Sequence, residues 1–365
     1  MSEERLRVLE MVREGKITPE EGARLLEALR EGTREERRRA REDDPIGSLV
    51  ESVVESVTGA LSGKAWTGWK GSWAGAWHGG HFGSLAGLRR RQEREAEGWQ
   101  FLALSEGDRG TFEVPEGARL AIESEAGGIE AKAVDGPARV DLEGDDFYNF
   151  AVYVARKDDQ VVLAAHRTEP HARMPRLVVS VPRHVSHLSL QTAGGGLDVR
   201  GFSCPVELKT AGGGIRVRAH GDGALAARTA GGGIDVEGQP AQANLKTAGG
   251  GIHFRGLTGA FVAETAGGSI TIDGARLLAG EHRARTAGGS IRVHLTPDSS
   301  VAIDASTTAG NISVDLPGVQ GQFSGSRLSP KYQGTYNGGS ASLELRTVGG
   351  SITVGLAEAA RAEAA

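Results

Sequence analysis

Thr210-Ala211-Gly212-Gly213-Gly214-Ile215 is one copy of a hexapeptide that recurs through the second half of this chain of 365 residues. Close copies begin at Thr192, Thr210, Thr229, Thr247, Thr265 and Thr286, which are 18, 19, 18, 18 and 21 residues apart. Looser copies begin at Ser124, Thr307 and Thr347. A nearly fixed period indicates one structural unit stacked on its own copies, so the sequence predicts a solenoid.

The residues around each hexapeptide alternate between apolar and polar, which is the pattern of a β-strand with one buried face. We expect the last residue of the hexapeptide and the residue two positions later to point inward. These pairs are Leu197/Val199, Ile215/Val217, Ile234/Val236, Ile252/Phe254, Ile270/Ile272, Ile291/Val293, Ile312/Val314 and Ile352/Val354. Leu190, Leu208, Ala227, Leu245, Ala263, Ala284 and Leu345, two positions before the threonines, are expected inside as well. The predicted fold is mainly β, a parallel β-solenoid (β-helix) with coils of about 18–21 residues.

The glycine runs are predicted to form corners with positive φ and to let consecutive coils stack closely. Each threonine is expected at a strand end and facing inward, where its hydroxyl can bond the backbone of the turn.

Stacking in register would place equivalent residues of neighbouring coils about 4.8 Å apart, a distance at which like charges repel. The column one position after the hexapeptide contains Asp198, Arg216, Asp235, His253, Thr271 and Arg292. The column three positions after the apolar residue contains Arg200, Arg218, Glu237, Arg255, Asp273, His294 and Asp315. Apart from the Arg200–Arg218 pair, both columns avoid like-charged neighbours, which favours the parallel register.

A third column, before the threonines, forms a basic stripe of Lys209, Arg228, Lys246, Glu264 and Arg285. We interpret the stripe as a solvated face, with contact to an anion or polyanion as the alternative.

Composition limits the function. The net charge of −5 and the pI near 6.1 provide no overall basic field, so no nucleic-acid partner is expected. Cys204 is the single cysteine, which excludes an internal disulfide framework. The start of the chain lacks an apolar signal core, and no run of about 18 apolar residues predicts a transmembrane helix. We therefore expect a cytoplasmic protein, with membrane association as the alternative.

Residues 1–32 are predicted to form a helical hairpin. Thr18 would cap the second helix, followed by Pro19 and by Glu21 as the partner in a capping box. Two short helices bury little apolar area. We therefore expect the hairpin to bind a second copy of the chain or another protein through its apolar residues, Leu25, Leu26 and Leu29.

Residues 33–98 are predicted to be a linker, followed by the solenoid at 99–356 and a tail at 357–365. The linker contains a charged run, an amphipathic helix at 46–61 and a glycine-rich stretch with Trp66, Trp69, Trp73 and Trp77. Tryptophan beside cations suits a membrane interface, so residues 46–92 are a candidate membrane contact. The alternatives are a segment bound to a partner or to the solenoid, or disorder. The acidic polar face of 46–61 argues against anionic lipid.

No catalytic residue, metal ligand or cofactor site is predicted. His78 and His81, like His184 and His187, have metal-ligand spacing but lack a third ligand in sequence. The best-placed acids, Asp198 and Asp235, are separated by Arg216, whereas a polysaccharide-cleaving solenoid needs clustered carboxylates.

Outside the regular repeats, residues 99–190 are expected to form broader opening coils with Asp145–Tyr148 as a loop insertion. Residues 318–339 are expected to form a long Gly/Ser loop.

Two stretches resemble known families. Glu14-Gly15-Lys16-Ile17-Thr18-Pro19-Glu20-Glu21-Gly22, followed by Leu25-Leu26, resembles the SHOCT-like helical hairpin found at the termini of bacterial proteins. The repeats from Ser124 to Gly355 resemble the bacterial "putative-adhesin" family of β-strand-repeat proteins, a domain of unknown function.

The resemblance implies a non-enzymatic bacterial protein linked to the cell envelope or to envelope stress. We therefore expect a self-associating scaffold or binding protein. The alternatives are a peripheral membrane or adhesin-like surface binder and, less favoured, a polysaccharide-active solenoid enzyme.

Overall fold

A computed structural model describes residues 85–105, 110–143, 150–168, 174–256, 259–326 and 329–357. Within these ranges the chain forms one helix, α1 (Leu85–Ala96), and 26 strands. The strands are β1 (Gln100–Leu102), β2 (Gly110–Phe112), β3 (Arg119–Ser124), β4 (Ile129–Val134), β5 (Ala138–Glu143), β6 (Phe150–Lys157), β7 (Gln160–Arg167), β8 (Arg176–Pro182), β9 (His187–Thr192), β10 (Leu197–Arg200), β11 (Val206–Thr210), β12 (Ile215–His220), β13 (Leu225–Thr229), β14 (Ile234–Gly238), β15 (Gln242–Thr247), β16 (Ile252–Arg255), β17 (Ala260–Thr265), β18 (Ile270–Ala275), β19 (Glu281–Thr286), β20 (Ile291–Leu295), β21 (Val301–Thr307), β22 (Ile312–Asp315), β23 (Gln320–Ser326), β24 (Ser329–Tyr336), β25 (Ala341–Thr347) and β26 (Ile352–Leu356).

Each coil contributes one strand to each of two facing sheets. The large sheet has 14 strands in the order β1-β6-β7-β3-β9-β11-β13-β15-β17-β19-β25-β21-β24-β23. The small sheet has 12 strands in the order β2-β5-β8-β4-β10-β12-β14-β16-β18-β20-β26-β22. Pairing between central coils is parallel and joins equivalent residues, so Leu197 lies beside Ile215 and Ile215 beside Ile234. The predicted mainly β, solenoid-like architecture is confirmed.

The core lies between the sheets and includes the predicted inward columns. These residues are no more than 2 % exposed, apart from Ile312 and Val314. Both are half-buried because β22 is the last strand of the small sheet and has a neighbour on one side only.

At both ends of the solenoid, spatial order departs from chain order, which corrects a prediction. The last coil, β25–β26, is inserted between β19–β20 and β21–β22. His294 therefore pairs with Gly355, and Asp315 pairs with Gly355 from the other side, so His294 and Asp315 are not neighbours. The first coil, β3–β4, is inserted in the same way between β7–β8 and β9–β10.

The prediction of a long Gly/Ser loop at 318–339 was wrong. Residues Gln320–Ser326 and Ser329–Tyr336 form the antiparallel strands β23 and β24, which extend the large sheet. Glycine lowers strand propensity, but Tyr332 and Tyr336 on β24 are buried against the end of the core and anchor the hairpin. The predicted insertion at Asp145–Tyr148 lies outside the described residues.

The predicted positive φ of the repeat glycines was also wrong, with Gly127 (φ 83°) as the exception among the nine copies. Left-handed backbone occurs toward the opposite corner, near the end of the small-sheet strand or just after it, at Gly201, Gly256 and Gly274. One coil has Ala219 there at φ 50°, where a side chain is strained.

The middle glycine of each hexapeptide is required for close stacking, as predicted. A Cβ on Gly213 would overlap the carbonyl oxygen and carbon of Gly195, the middle glycine one coil earlier. All nine copies have glycine at this position, whereas the two flanking positions also accept other residues.

The threonine before each glycine run faces inward and bonds the turn, as expected. Thr229 is fully buried, and its Oγ1 donates to the carbonyl oxygen of Gly213 in the preceding coil at 2.7 Å. The same Oγ1 accepts the N–H of Gly232 in its own turn at 3.2 Å. Equivalent pairs of bonds occur at Thr210, Thr247, Thr265, Thr286 and Thr347.

Helix α1 was not predicted. It packs on the outer face of the large sheet near its β1 end, over an apolar cluster that includes Val162 and Tyr153. The Arg94 guanidinium donates to Tyr153 Oη and to Glu123 Oε1, both at 2.8 Å. Arg91 lies over the ring of Phe101 at 5.1 Å. Arg91 and Arg94 hold the helix against the sheet. The part of the predicted linker that forms α1 therefore packs on the solenoid.

Gly213→Ala should destabilise the solenoid because its Cβ would meet backbone that is fixed by the coil spacing. We expect a loss of about 1–3 kcal/mol or more in the free energy of unfolding, measured by chemical denaturation. Gly212→Ala is the matched control, since its Cβ would lie 3.3 Å from the carbonyl oxygen of Gly194 and a looser copy has Ala309 at that position. Equal losses for both variants would refute the assignment of the middle glycine.

Thr229→Val should also destabilise the protein, because it removes a hydroxyl without changing the shape of the side chain. The Gly232 N–H and the Gly213 carbonyl would each lose a buried partner, and a buried unsatisfied group costs about 1–3 kcal/mol. Thr229→Ser keeps the hydroxyl and should lose less, as measured by denaturant midpoints. If Ser is the worse variant, methyl packing rather than hydrogen bonding is the main contribution of this threonine.

Arg216→Asp should lower stability modestly, because it would place three acids in one column with Asp198 and Asp235. Each pair of neighbouring charges contributes about 0.2–1 kcal/mol, and salt should reduce the loss at Asp235 more than at Asp198, whose side chain is only 9 % exposed. Arg292→Asp is the control, since its neighbours in the sheet are Thr271 and Thr353. Thermal melts at low and high salt would argue against the ladder if both variants lost stability equally.

Candidate ligand groove

Several predicted site residues lie outside the part of the chain that the structure describes. These are the interaction candidates Leu25, Leu26, Leu29, Trp66, Trp69, Trp73 and Trp77, and the histidines His78 and His81. Their roles therefore remain predictions.

The second histidine pair is described and is not brought together as a metal site. His184 Nε2 lies 3.0 Å from the carbonyl oxygen of Val114, whereas His187 Nε2 lies 3.9 Å from a carboxylate oxygen of Glu207. Within the described ranges, no three His, Cys, Asp or Glu side chains are arranged to hold a metal ion. Burial raises the pKa of the Cys204 thiol, which keeps it protonated and unreactive.

A shallow groove of about 800 Å³ runs along the corner between the glycine runs and the small sheet. It crosses six consecutive coils, from that of Gly128 to that of Ser269. Neighbouring coils are about 4.8 Å apart, so five steps give the groove a length of roughly 24 Å. The lining residues that matter below are Gly196, Gly214, Gly233, Gly251, Asp198, Arg216, Asp235 and His253.

The length of the groove depends on which residue occupies the third position of each glycine run. In spatial order this position is glycine in five adjacent coils (Gly128, Gly196, Gly214, Gly233, Gly251) and then serine in three (Ser269, Ser290, Ser351). The groove follows the glycine coils and ends where the serines begin, because a glycine leaves the corner without a side chain.

The serines also show which backbone group lacks a hydrogen-bond partner in the glycine coils. Ser269 Oγ accepts the N–H of Ser290 at 3.1 Å, and Ser290 Oγ accepts the N–H of Ser351 at 3.2 Å. Glycine has no such hydroxyl. Consequently, the N–H groups of Gly214, Gly233 and Gly251 have no hydrogen-bond acceptor among the residues that the structure describes. The groove therefore presents a row of backbone donors with the spacing of the coils.

The column of charged residues predicted from the sequence forms one wall of the groove. Arg216 lies between Asp198 and Asp235, with nitrogen–oxygen distances of 3.8 and 4.0 Å. His253 Nδ1 lies 3.7 Å from the other side of Asp235. Acids and bases thus alternate, and the wall offers both hydrogen-bond donors and acceptors.

The second charged column contributes a histidine–aspartate network beside the groove. Asp273 lies 2.9 Å from His253 Nε2 and 2.6 Å from His294 Nδ1. Burial acts to raise the pKa of Asp273, but the hydrogen bonds and charges of the two histidines outweigh it and hold the pKa below its usual value. Asp273 therefore remains a carboxylate and orients His253 toward the groove wall.

This arrangement is suited to binding rather than to acid–base chemistry. A glycosidase needs one protonated carboxyl group and a second carboxylate facing the same bond. Here Arg216 lies between the two candidate acids, Asp198 and Asp235, and contacts both of them.

The basic stripe on the large sheet lies in register, as expected, but it is less solvated than predicted. Lys246 pairs with Glu264 at 2.7 Å, and Arg285 pairs with Glu344 at 2.7 Å. Burial lowers the pKa of Lys209. The two glutamates offset much of the positive charge, so the stripe is a weaker candidate for an anion site than the sequence indicated.

Sequence reasoning missed the groove, although a signal for it was present. The change from glycine to serine at the third position is visible in the repeats, but its meaning depends on the spatial order of the coils.

Among the described residues, none of the helical segments has the length and apolar character needed to span a membrane.

Comparison with known proteins finds two family matches in the chain. Residues 3–34 match the SHOCT-like domain. No curated protein sequence matches the chain. A solved structure described as a "putative adhesin" from Bacteroides fragilis is 15 % identical with a TM-score of 0.40, covering 67 % of this chain and 95 % of its own. A "putative cell adhesion protein" from Clostridium sporogenes is 10 % identical with a TM-score of 0.24, covering 69 % of this chain and 99 % of its own. Residues 120–355, most of the chain, match Toastrack DUF4097, and the protein therefore belongs to that family.

Proposed function

We propose that the protein is a non-enzymatic binding protein that holds an extended glycan chain along the groove. The observation that carries the proposal is the row of open backbone N–H groups at Gly214, Gly233 and Gly251. Such donors select a linear ligand with acceptor oxygens at regular intervals, and the alternating charges of the wall suit hydroxyl groups, which both donate and accept.

A glycan fits this spacing better than a peptide does. In an extended peptide each residue advances about 3.3 Å, so groups on one face recur about every 6.6 Å and drift out of step with coils about 4.8 Å apart. A pyranose ring advances an extended glycan by a distance close to the coil spacing, and successive rings of a β-1,4-linked chain are turned over, so groups on one face recur at close to every second coil. N-acetylated sugars add carbonyl acceptors, which suggests a cell-envelope polysaccharide as the ligand.

The two ends of the chain would then have different tasks. The SHOCT-like hairpin would join the solenoid to a second copy or to another protein through Leu25, Leu26 and Leu29. Contact of residues 46–92 with a membrane surface is the alternative for the segment between the hairpin and the solenoid. Envelope association is common to both proposals.

Filling the groove should weaken binding without disturbing the fold. In Gly214→Ser combined with Gly233→Ser, the new hydroxyls would bond the N–H groups of Gly233 and Gly251, as the natural serines do in later coils. The added Cβ atoms would lie 3.3 and 3.2 Å from the carbonyl oxygens of the following coils, compared with 3.0 Å at Gly251, the tightest of these positions. We expect N-acetylglucosamine oligomers to bind more than about tenfold more weakly, or about 1.4 kcal/mol, in isothermal titration.

The reverse substitution is the matched control. Ser269→Gly should open the N–H of Ser290, lengthen the groove by one coil and strengthen the binding of longer oligomers. Recovered oligomers should be intact on chromatography. Cleavage of the oligomer, or binding of extended peptides but of no glycan, would overturn the proposal.

A further inference from the structure

Among the residues that the structure describes, the two sheets end in four edge strands, and one of these differs from the others. The edge strands β1 and β2 contain three residues each, and β22 contains four and ends in Asp315. The fourth edge, β23 (Gln320–Ser326), contains seven residues, all of them exposed.

Strand β23 also lacks the usual protection of an edge. Natural edge strands avoid pairing with other chains by being short, by bending at a bulge, or by presenting proline or charged side chains. The sequence of β23, Gln-Gly-Gln-Phe-Ser-Gly-Ser, contains neither proline nor a charged residue. Its pairing with β24 continues through all seven residues without a register shift, and the one departure from extended backbone is Gly325, near the end of the strand, at φ 87°.

The sequence of β23 is nearly symmetric about its central residue, Phe323. If two copies of the strand paired antiparallel about that centre, Phe323 would face itself and Gly321 would face Gly325. The two glutamines would each face a serine, so polar side chains would oppose polar side chains. A two-fold axis places identical residues near one another, so only an uncharged edge avoids repulsion in such a pair.

We propose that β23 is a self-association surface, at which two copies of this chain join their large sheets by antiparallel pairing centred on Phe323. This contact is independent of the groove and of the N-terminal hairpin. It would join the solenoids through their β23 ends and make one continuous sheet across the two-fold axis.

The position of Phe323 supports a second copy as the occupant. Its side chain is 62 % exposed, the most exposed large apolar side chain among the described residues. Its ring lies 4.9 Å from that of Tyr332, which is buried. In the large sheet, β24 and β23 follow β21. The small sheet ends at β22, the strand that belongs to the same coil as β21. In the described fold, therefore, no small-sheet strand lies beyond β22 to cover β24 and β23. A second Phe323 across the axis would complete a cluster that Tyr332 begins.

A cysteine at the symmetry centre tests the contact directly. Full-length chain carrying Phe323→Cys and Cys204→Ser should form a disulfide-linked dimer in a glutathione redox buffer. The control is Leu278→Cys in the same background, since Leu278 is also exposed, at 43 %, but lies away from this edge. Pre-association should make the dimer form more than about tenfold faster at position 323 than at position 278. Equal rates would overturn the proposal.

Opposite charges at the same position distinguish pairing from misfolding. Phe323→Lys or Phe323→Glu alone should place like charges face to face and abolish the contact, whereas an equimolar mixture should restore it as a heterodimer. Analytical ultracentrifugation of each variant and of the mixture, in chains that also carry Leu25→Asp and Leu29→Asp, measures this edge without the hairpin. The proposal fails if the mixture remains as dissociated as its components or if the Phe323-containing chain is monomeric in that background.

Discussion

The contact between a buried threonine hydroxyl and the glycine carbonyl one coil earlier determines much of this structure. The Gly213 carbonyl oxygen that accepts from Thr229 is the same atom that a Cβ on Gly232 would strike. The hydrogen bond and the glycine requirement are therefore one constraint, because both fix the spacing of adjacent turns. Since the hydroxyl also accepts from Gly232, a single buried side chain satisfies two backbone groups of the corner.

This constraint leaves other positions of the corner free to vary, and the groove arises from that freedom. The third position can be glycine or serine, because a Cβ there would lie 3.0–3.3 Å from the carbonyl oxygen of the next coil, a close approach that a small shift relieves, whereas a Cβ on Gly213 would lie 2.1 Å from the carbonyl oxygen of Gly195. Serine closes the corner by bonding the next coil, and glycine leaves an open donor. The same repeat thus supports a closed half that contributes to the stacking and an open half that is available to a ligand.

The sequence predicted the features that depend on periodicity. The inward columns, the parallel register of the central coils and the alternating charges around Arg216 all follow from a side-chain period of two within a coil of nearly fixed length. What it did not predict depends on where the chain goes between the regular coils. Insertion of β25–β26 separates His294 from Asp315, and no local pattern encodes that path. The glycine corners were misread because glycine serves both positive φ and close approach, and sequence does not distinguish these two uses. The groove required the spatial order of the coils, and the hairpin candidates Leu25, Leu26 and Leu29 remain predictions.

The inserted end coils suggest how a solenoid of identical units stops. A coil that simply ended would expose its strand edges and the apolar ends of its core. Here the coil β21–β22 comes first in the chain and occupies the terminal position. The coil β25–β26 follows it in the chain but lies between β21–β22 and β19–β20, so this last coil has a neighbour on both sides. The connection between these two coils is long enough to form the β23–β24 hairpin, whose Tyr332 and Tyr336 cover the end of the core. Without the hairpin, the edge strand of the large sheet would be β21, which packs against the core. With the hairpin, the edge strand is β23, which does not pack against the core. An edge strand outside the core can pair with another molecule without disturbing the stack, so the solution to the capping problem also creates a surface for association.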